Sequence, residues 1–118
     1  MRCNLNTVEI TRTIIDALDE KKGENTLLLD IHEIASFTDY FVICSGTSDR
    51  MLDGLAEGVM RKVREVHQLH GRAEGRASGG WVIVDFGDIV VHLFSPDQRE
   101  YYNLEELWSQ GKILVSLP

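Results

Sequence analysis

The first candidate for covalent chemistry is a cysteine followed, after five residues, by an arginine: Cys44 and Arg50. This spacing, between an apolar run and a helical pattern, is similar to the phosphate cradle of cysteine-dependent phosphatases, in which amides at a helix N-terminus bind the anion and lower the thiol pKa. Asp49 argues against it, because a carboxylate there would repel phosphate and raise the thiol pKa. We therefore expect Cys44 to be a small buried residue, and a phosphatase using Cys44 and Arg50 is the alternative function.

Two other groups contain residue types that bind metals or transfer protons. Asp30, His32 and Glu33 could ligate a metal, but alternate residues of a strand share a side, so Asp30 and His32 face away from Glu33 unless the strand ends there. Asp85 and Asp88 flank a turn instead of alternating within one strand, so a shared metal is not implied. We expect no catalytic residue, no cofactor and no metal.

Two helices are predicted in the first two thirds of the chain. Asn6 and Glu9 have the spacing of a capping box, and Gly23 is expected to end the first helix, whose apolar face is Ile10, Ile14, Ala17 and Leu18. Ser48 is the predicted N-cap of the second helix, whose apolar face is Leu52, Leu55, Val59, Val63 and Val66. Gly54 and Gly58 weaken that helix, and we expect them to permit close packing.

Several short segments are predicted to form a sheet. Residues 26–31 and 39–44 are nearly continuous apolar runs, typical of strands covered on both faces. Two more runs meet at Gly87-Asp88, which suits a two-residue hairpin turn. The Gly-rich, basic segment from His70 to Gly80 is expected to be an exposed, mobile loop, and residues 113–115 to be a short strand or a tail. The fold class is α/β: one domain with a mixed sheet and helices on both faces, its core at about 6–108 and a short tail at 109–118.

The segment after the hairpin mixes aromatic and acidic residues: Asp97, Glu100, Tyr101, Tyr102, Glu105, Glu106 and Trp108. Aromatic side chains among acids are typical of a surface that binds a basic partner. For Tyr102, Leu104 and Leu107 a place in the core is about equally expected. Trp81 follows a Gly-rich stretch and is expected to be partly covered, as binding anchors are. His92, between apolar neighbours, indicates a hydrogen-bonded strand histidine.

Composition limits the possible partners. The 118-residue chain has 12 Lys and Arg against 19 Asp and Glu, a net charge of −7, which repels phosphate backbones. We therefore expect no direct sequence-specific nucleic-acid binding; in a ribonucleoprotein, the contact would be with its basic protein. Cys3 and Cys44 are too few for a disulfide framework, and no apolar stretch suits a membrane span or signal peptide. The sequence indicates a soluble, cytoplasmic protein with no membrane partner.

Several blocks, in this order, resemble the ribosomal silencing factor family, also called Iojap-like. They are residues 35–43, residues 45–50, Glu74-Gly75-Arg76 ahead of Trp81-Val82, residues 85–94, and residues 99–108. The resemblance runs from the first helix to Trp108, and its blocks together are far more specific than any single motif. The chain departs from the family's usual pattern at Gly79-Gly80 and in the helix that contains Gly54 and Gly58.

The resemblance implies a domain related in fold to nucleotidyltransferases, without their catalytic carboxylates or activity. It implies a translation repressor that binds the large ribosomal subunit through large-subunit ribosomal protein fourteen and blocks joining with the small subunit. By motif position, the partner-binding residues would be Trp81, Asp85, Asp88, His92, Tyr101, Tyr102, Leu104 and Trp108. An exposed strand edge or apolar patch further predicts a weak homodimer of the free protein.

Overall fold

The computed structural model describes residues 5–118, which form four helices and six strands within that range. In chain order these are α1 (Leu5–Glu20), β1 (Glu24–Asp30), β2 (Tyr40–Ser45), α2 (Asp49–His67), β3 (Arg72–Arg76), a 3₁₀ turn (Ala77–Gly79), β4 (Trp81–Asp85), β5 (Ile89–Phe94), α3 (Pro96–Tyr102), α4 (Leu104–Leu107) and β6 (Lys112–Leu117). No helix within residues 5–118 is long and apolar enough to cross a bilayer.

The strands form one mixed sheet in the order β3-β4-β5-β2-β1-β6. The central pair, β2 and β5, is parallel, and every other neighbouring pair is antiparallel. Both central strands are buried at every position, so their side chains need cover on both faces of the sheet. The predicted mixed sheet with helices on both faces is confirmed.

The two faces of the sheet are covered differently. On one face α1 and α2 pack against each other and over the larger apolar core, which includes Ile14, Leu18, Leu55 and Val63. On the other face the smaller core is closed by short elements, with Leu104 of α4 as its buried contribution from the helices. We call this second side, which carries Phe41, Trp81, His92 and Phe94, the aromatic face.

The ends of the helices agree with the predicted caps and apolar faces only in part. Ser48 caps α2 as predicted, because its Oγ accepts a hydrogen bond from the Met51 amide at 3.1 Å. Helix α1 already includes Leu5, so the predicted cap at Asn6 is wrong and Asn6 lies inside the first turn. Val66 is 51 % exposed instead of buried, since polar residues of α1 border it in the last turn of α2.

The glycines of α2 differ in their surroundings. A Cβ on Gly58 would lie 3.2 Å from the Lys21 side chain, whereas one on Gly54 would meet nothing within 4 Å. Close packing is therefore confirmed for Gly58 and wrong for Gly54.

The outer parts of the sheet contain the main differences from the predicted elements. Gly87, with φ +89°, and Asp88 form the predicted turn, and the Phe86 amide donates to the Ile89 carbonyl at 2.9 Å. The predicted mobile loop at 70–80 is wrong, because residues 72–76 form β3 along β4. Strand β6 pairs with β1, so the alternative of a short strand at 113–115 is confirmed, with bounds of 112–117, and the predicted tail contains the last strand of the sheet.

One testable consequence concerns Gly23, which follows α1. A Cβ there would lie 2.4 Å from Cys44 Sγ and 3.3 Å from the Leu18 carbonyl oxygen. We expect Gly23→Ala to destabilise the domain by about 1–3 kcal/mol, and a second change, Cys44→Ala, to recover part of that loss. Gly54→Ala, on the open side of α2, should instead stabilise by about 0.5–1 kcal/mol. Urea denaturation of the four proteins measures this, and an unchanged midpoint for Gly23→Ala would contradict the close contact.

Candidate functional site

Strand register places the candidate residues on the aromatic face. In β4, Trp81, Ile83 and Asp85 point to this face, since alternate residues share a side. Directly opposite in β5, Phe94 pairs with Trp81 and His92 pairs with Ile83. The hairpin therefore brings an indole and an imidazole together on one surface.

Seven rings form a continuous series of contacts across this surface, which we call the aromatic chain. Centroid distances between successive rings are 5.1 Å for Tyr101 and Tyr102, 4.5 Å for Tyr102 and Trp81, 6.0 Å for Trp81 and His92, 4.5 Å for His92 and Phe41, 5.6 Å for Phe41 and Trp108, and 5.8 Å for Trp108 and Phe37. These spacings are typical of favourable aromatic packing. The chain links α3, the hairpin, β2, the residue after α4 and the loop after β1.

Exposure increases from the middle of the aromatic chain toward its ends. His92 and Phe41 are buried, and Trp81 and Trp108 are half-buried. At the ends, Tyr102 is 45 % exposed, Phe37 58 % and Tyr101 78 %. Large apolar rings that a monomer leaves in water, joined to a rigid core, are typical of a protein-binding surface.

His92 is the polar centre of the aromatic chain. Its Nδ1 accepts a hydrogen bond from Trp81 Nε1 at 3.2 Å, which leaves the proton of the neutral ring on Nε2. Burial lowers the pKa of His92 to about 4, and the nearby Asp85 carboxylate opposes that shift. His92 is therefore neutral at physiological pH and fixes the orientation of the Trp81 indole, as predicted for a hydrogen-bonded strand histidine.

Arg99 holds α3 and α4 against the ends of β1 and β2. Its Nη1 donates to the Asn25 carbonyl at 2.6 Å and to Ser45 Oγ at 2.9 Å, and its Nε donates to Glu105 Oε2 at 3.1 Å. The Arg99 side chain is only 13 % exposed. One guanidinium thus joins α3, α4 and the ends of β1 and β2, and it fixes the helix that carries Tyr101 and Tyr102.

The helices beside the aromatic chain are acidic. Asp97 and Glu100 lie in α3, and Glu105 and Glu106 lie in α4. An open cleft of about 660 Å³ beside Arg99 is lined by three carboxylates, those of Glu24, Glu100 and Glu105. Because Arg99 already donates to Glu105, this end of the molecule favours a basic partner and not a phosphate.

The structure brings most of the predicted partner-binding residues together. Trp81, His92, Tyr101, Tyr102 and Trp108 belong to the aromatic chain, with Asp85 on the same face. Two of the eight predicted residues differ. Leu104 is buried in the core below the chain, and Asp88 lies in the turn beyond β4, where its carbonyl oxygen accepts from the Asp39 and Tyr40 amides.

Three residues of the site were not predicted from the sequence. Phe37 is a mostly exposed ring of the aromatic chain, Phe41 joins the two halves of the chain, and Arg99 holds α3 in place. Phe37 carried a signal, since a large aromatic residue between serine and threonine does not fit a buried strand. Arg99 carried none, because its partners Asn25 and Ser45 are distant in sequence.

Cys44 and Arg50 do not form the anion site of a cysteine-dependent phosphatase. Cys44 Sγ is buried on the side of α1 and α2, and burial raises the pKa of the thiol, whereas Arg50 is exposed. The loop amides are also engaged: Gly46 N donates to the Phe94 carbonyl at 2.9 Å, and Thr47 N to Met51 Sδ at 3.3 Å. A nucleophilic cysteine requires the opposite, a lowered thiol pKa and free amides.

The candidate metal ligands have other partners. His32 Nδ1 hydrogen-bonds to Asp30, a contact that raises the pKa of His32. Asp85 accepts from the Gly87 amide at 2.7 Å and so stabilises the hairpin turn. Within residues 5–118, no three His, Cys, Asp or Glu side chains are grouped closely enough to hold a metal ion.

Comparisons with known proteins agree on one family. The family described as "Ribosomal silencing factor during starvation" matches residues 4–116. The ribosomal silencing factor RsfS of Bacillus subtilis is 38 % identical over 109 residues, 92 % of each chain. A mouse protein named for mitochondrial assembly of the ribosomal large subunit is 31 % identical over 81 % of this chain and 43 % of its own length. A Chromobacterium violaceum crystal structure superposes with TM-score 0.82 and 35 % identity, covering 92 % of each chain.

His92 makes a prediction about pH. An unfolded histidine binds a proton below its ordinary pKa of 6.5, whereas folded His92 does so only below about 4. Between those values the unfolded state binds more protons, so stability falls as pH drops from about 6.5 to 4, by up to about 3 kcal/mol from this residue. Denaturation at a series of pH values should show a shallower loss for His92→Gln. Parallel pH profiles for the two proteins would contradict the buried neutral histidine.

Arg99 makes a prediction about stability. Arg99→Met keeps the apolar stem but leaves the Glu105 carboxylate without its guanidinium, so we expect a loss of about 3 kcal/mol. Adding Glu105→Gln should recover part of this loss, because the orphaned charge is then absent. Urea denaturation of the two single variants and the double variant measures the coupling. Additive effects of the two changes would show that the ion pair does not hold α3 and α4 together.

Proposed function

The chain belongs to the ribosomal silencing factor family, and we propose that it is a translation repressor. In this proposal the protein binds the large ribosomal subunit through large-subunit ribosomal protein fourteen. The bound protein then sterically blocks joining of the small subunit. The observation that carries this proposal is the aromatic chain: seven connected rings, exposed at both ends and rigidly supported. In this proposal the protein acts by binding, in the cytoplasm.

The shape of the aromatic face supports a protein partner. Its exposed rings, Phe37, Tyr101 and Tyr102, flank the half-buried Trp81 and Trp108. Rigid aromatic side chains lose little conformational entropy on binding, and such residues dominate the energy of protein interfaces. The eight partner-binding residues of the family resemblance remain part of the proposal, with Leu104 acting from below the surface and Asp88 from the hairpin turn.

The charges near the aromatic face support a basic partner. The acidic residues Asp97 and Glu100 lie in α3, which carries Tyr101 and Tyr102, and Glu105 and Glu106 lie in α4, which directly precedes Trp108. Ribosomal proteins are basic because they neutralise RNA, and an acidic surface on the factor complements them. Attraction between opposite charges raises the association rate, while the aromatic rings determine how long the complex lasts.

The experiment that tests this proposal uses purified subunits. Large subunits are incubated with the protein, small subunits are added, and the mixture is separated on a sucrose gradient. We expect the protein to sediment with large subunits and to reduce the amount of joined ribosomes in a dose-dependent way. Absence of the protein from the large-subunit fraction would contradict the proposal, and so would co-sedimentation without any effect on joining.

A pair of variants separates binding from folding. Tyr101 is mostly exposed and its ring contacts Tyr102, so Tyr101→Ala should leave the melting temperature unchanged and weaken large-subunit binding by about 1–2 kcal/mol. Trp81→Ala should weaken binding by about 2 kcal/mol or more and also reduce stability, since Trp81 packs on Phe94 and His92.

Val66→Ala is the matched control, because Val66 is an exposed apolar residue of α2 on the opposite side of the sheet. It should leave both binding and stability close to wild type. Binding is measured by sedimentation equilibrium with labelled protein, and stability by thermal unfolding. If Tyr101→Ala binds as wild type does, the exposed end of the aromatic chain is not the partner-binding surface.

A further inference from the structure

The two outermost strands of the sheet, β3 and β6, differ in how they are protected against pairing with another strand. The five residues of β3 are all exposed and include Arg72, Glu74 and Arg76, and charged side chains on an edge strand discourage further pairing. Strand β6 carries no charge from residue 113 to residue 117, and this run also lacks proline and glycine. A strand of this composition is a template on which another strand can pair.

Strand β6 also leaves large apolar side chains in water. Ile113 is 64 % exposed, Leu114 50 % and Leu117 39 %. Ile113 lies directly opposite Leu29, which belongs to the core of the aromatic face, so Ile113 is on that side of the sheet. Leu114 is the extra residue where the register of β1 and β6 shifts, and it lies beside α1 on the other side. A strand added to this edge would therefore cover apolar surface on both sides.

A groove of about 300 Å³ lies between α1 and β6. Its apolar lining consists of Val8, Ile15, Leu28, Tyr40, Leu114 and Val115. Val8 of α1 is itself 41 % exposed, so the helix covers this part of the sheet only partly. An apolar side chain from an added strand would fill the groove next to Leu114.

The charges at the two ends of β6 are complementary. The exposed Lys112 begins the strand. At the other end, Leu117 lines the cleft that contains the carboxylates of Glu24, Glu100 and Glu105. Arg99 neutralises one of these three carboxylates, so the cleft keeps a net negative charge. In an antiparallel pair of two β6 strands, the start of each strand lies beside the end of the other, which brings each Lys112 to the acidic cleft of the other copy.

We propose that β6 is the interface of a homodimer, in which the β6 strands of two copies pair antiparallel about a twofold axis near Leu114 and Val115. The occupant of the edge is a second copy, because one surface supplies both the apolar side chains and the opposite charges that a twofold interface must match with itself. The two sheets then form one continuous sheet. Trp81 of β4 lies on the other half of the sheet, beyond β1, β2 and β5, so the dimer leaves the Tyr101 end of the aromatic chain free.

The interface is small, since one short strand and the groove beside it form each half. We expect a dissociation constant of about 10–100 µM, as for protein interfaces at the low end of the size range. At the lower concentrations of a ribosome-binding assay the protein is then monomeric, and its β6 edge is exposed.

Sedimentation equilibrium of the free protein over a concentration series measures this dissociation constant. Leu114→Lys places a charge at the centre of the edge and should raise the dissociation constant at least about 10-fold. Val66→Lys is the matched control, because Val66 is an equally exposed apolar residue on α2, and this variant should dimerise as wild type does. Thermal unfolding of both variants shows that the proteins compared are folded.

A charge exchange tests the orientation of the two strands. Lys112→Glu should raise the dissociation constant about 5-fold at low salt, and Lys112→Glu combined with Glu24→Lys should recover part of that loss. Both residues are exposed, so this test stands even where Leu114→Lys is less stable. Hydrogen exchange supplies the third measurement: the amides of residues 112–117 should exchange more slowly at concentrations that favour the dimer.

The outcomes separate this inference from the proposed function. A monomer at every concentration would overturn the inference and leave the proposed function intact, because the aromatic chain does not use β6. Dimerisation that is lost in Tyr101→Ala and kept in Leu114→Lys would also overturn it, since the aromatic face would then be the dimer interface. A monomeric protein in which Leu114→Lys weakens large-subunit binding would overturn it as well, and would assign the edge to a strand of the ribosomal partner.

Discussion

The structure depends on one constraint: β2 and β5, the central strands, are buried at every position and need apolar cover on both faces of the sheet. The two long helices, α1 and α2, lie on the same face and cover its centre. The other face has only the short α3 and α4 and the loop after β1, which are too small to exclude water by themselves. Large rings fill the space that helices would otherwise occupy, and this is why the second face is aromatic.

This way of closing the sheet also produces the binding surface. A ring that covers a strand buries one side and leaves the other in water unless a further layer is added. His92 is buried at the centre and hydrogen-bonds the indole of Trp81, so the half-covered rings have a rigid base. Arg99 fixes the acidic helices beside them. The aromatic face is thus rigid before it meets a partner, and binding need not pay a large ordering cost.

Features governed by local rules could be predicted from the sequence. The hairpin turn follows from the positive φ of Gly87, the start of α2 from the Ser48 cap, and the buried helix faces from apolar spacing. Strand β3 could not be predicted, because all five of its residues are exposed and it is held by backbone pairing with β4, so it has no apolar pattern. The openness around Gly54 likewise depends on elements distant in sequence.

As with the fold, only the locally determined features of the candidate site could be predicted from the sequence. Aromatic residues among acids marked α3 and the hairpin, and the structure joins them into one surface. The role of Arg99 depends on contacts with Asn25 and Ser45, which are distant in sequence. No local pattern of residue types encodes such contacts.

Hydroxyl-radical footprinting, with the protein free and bound to large ribosomal subunits and read residue by residue by mass spectrometry, tests the binding surface most directly. We expect Phe37, Tyr101 and Tyr102 to be oxidised rapidly in the free protein and strongly protected in the complex, whereas Val66 and Leu114, exposed elsewhere on the domain, keep their rates. Protection of Val66 or Leu114 with unchanged oxidation of Tyr101 and Phe37 would contradict the claim that the aromatic face is the surface that meets the ribosome.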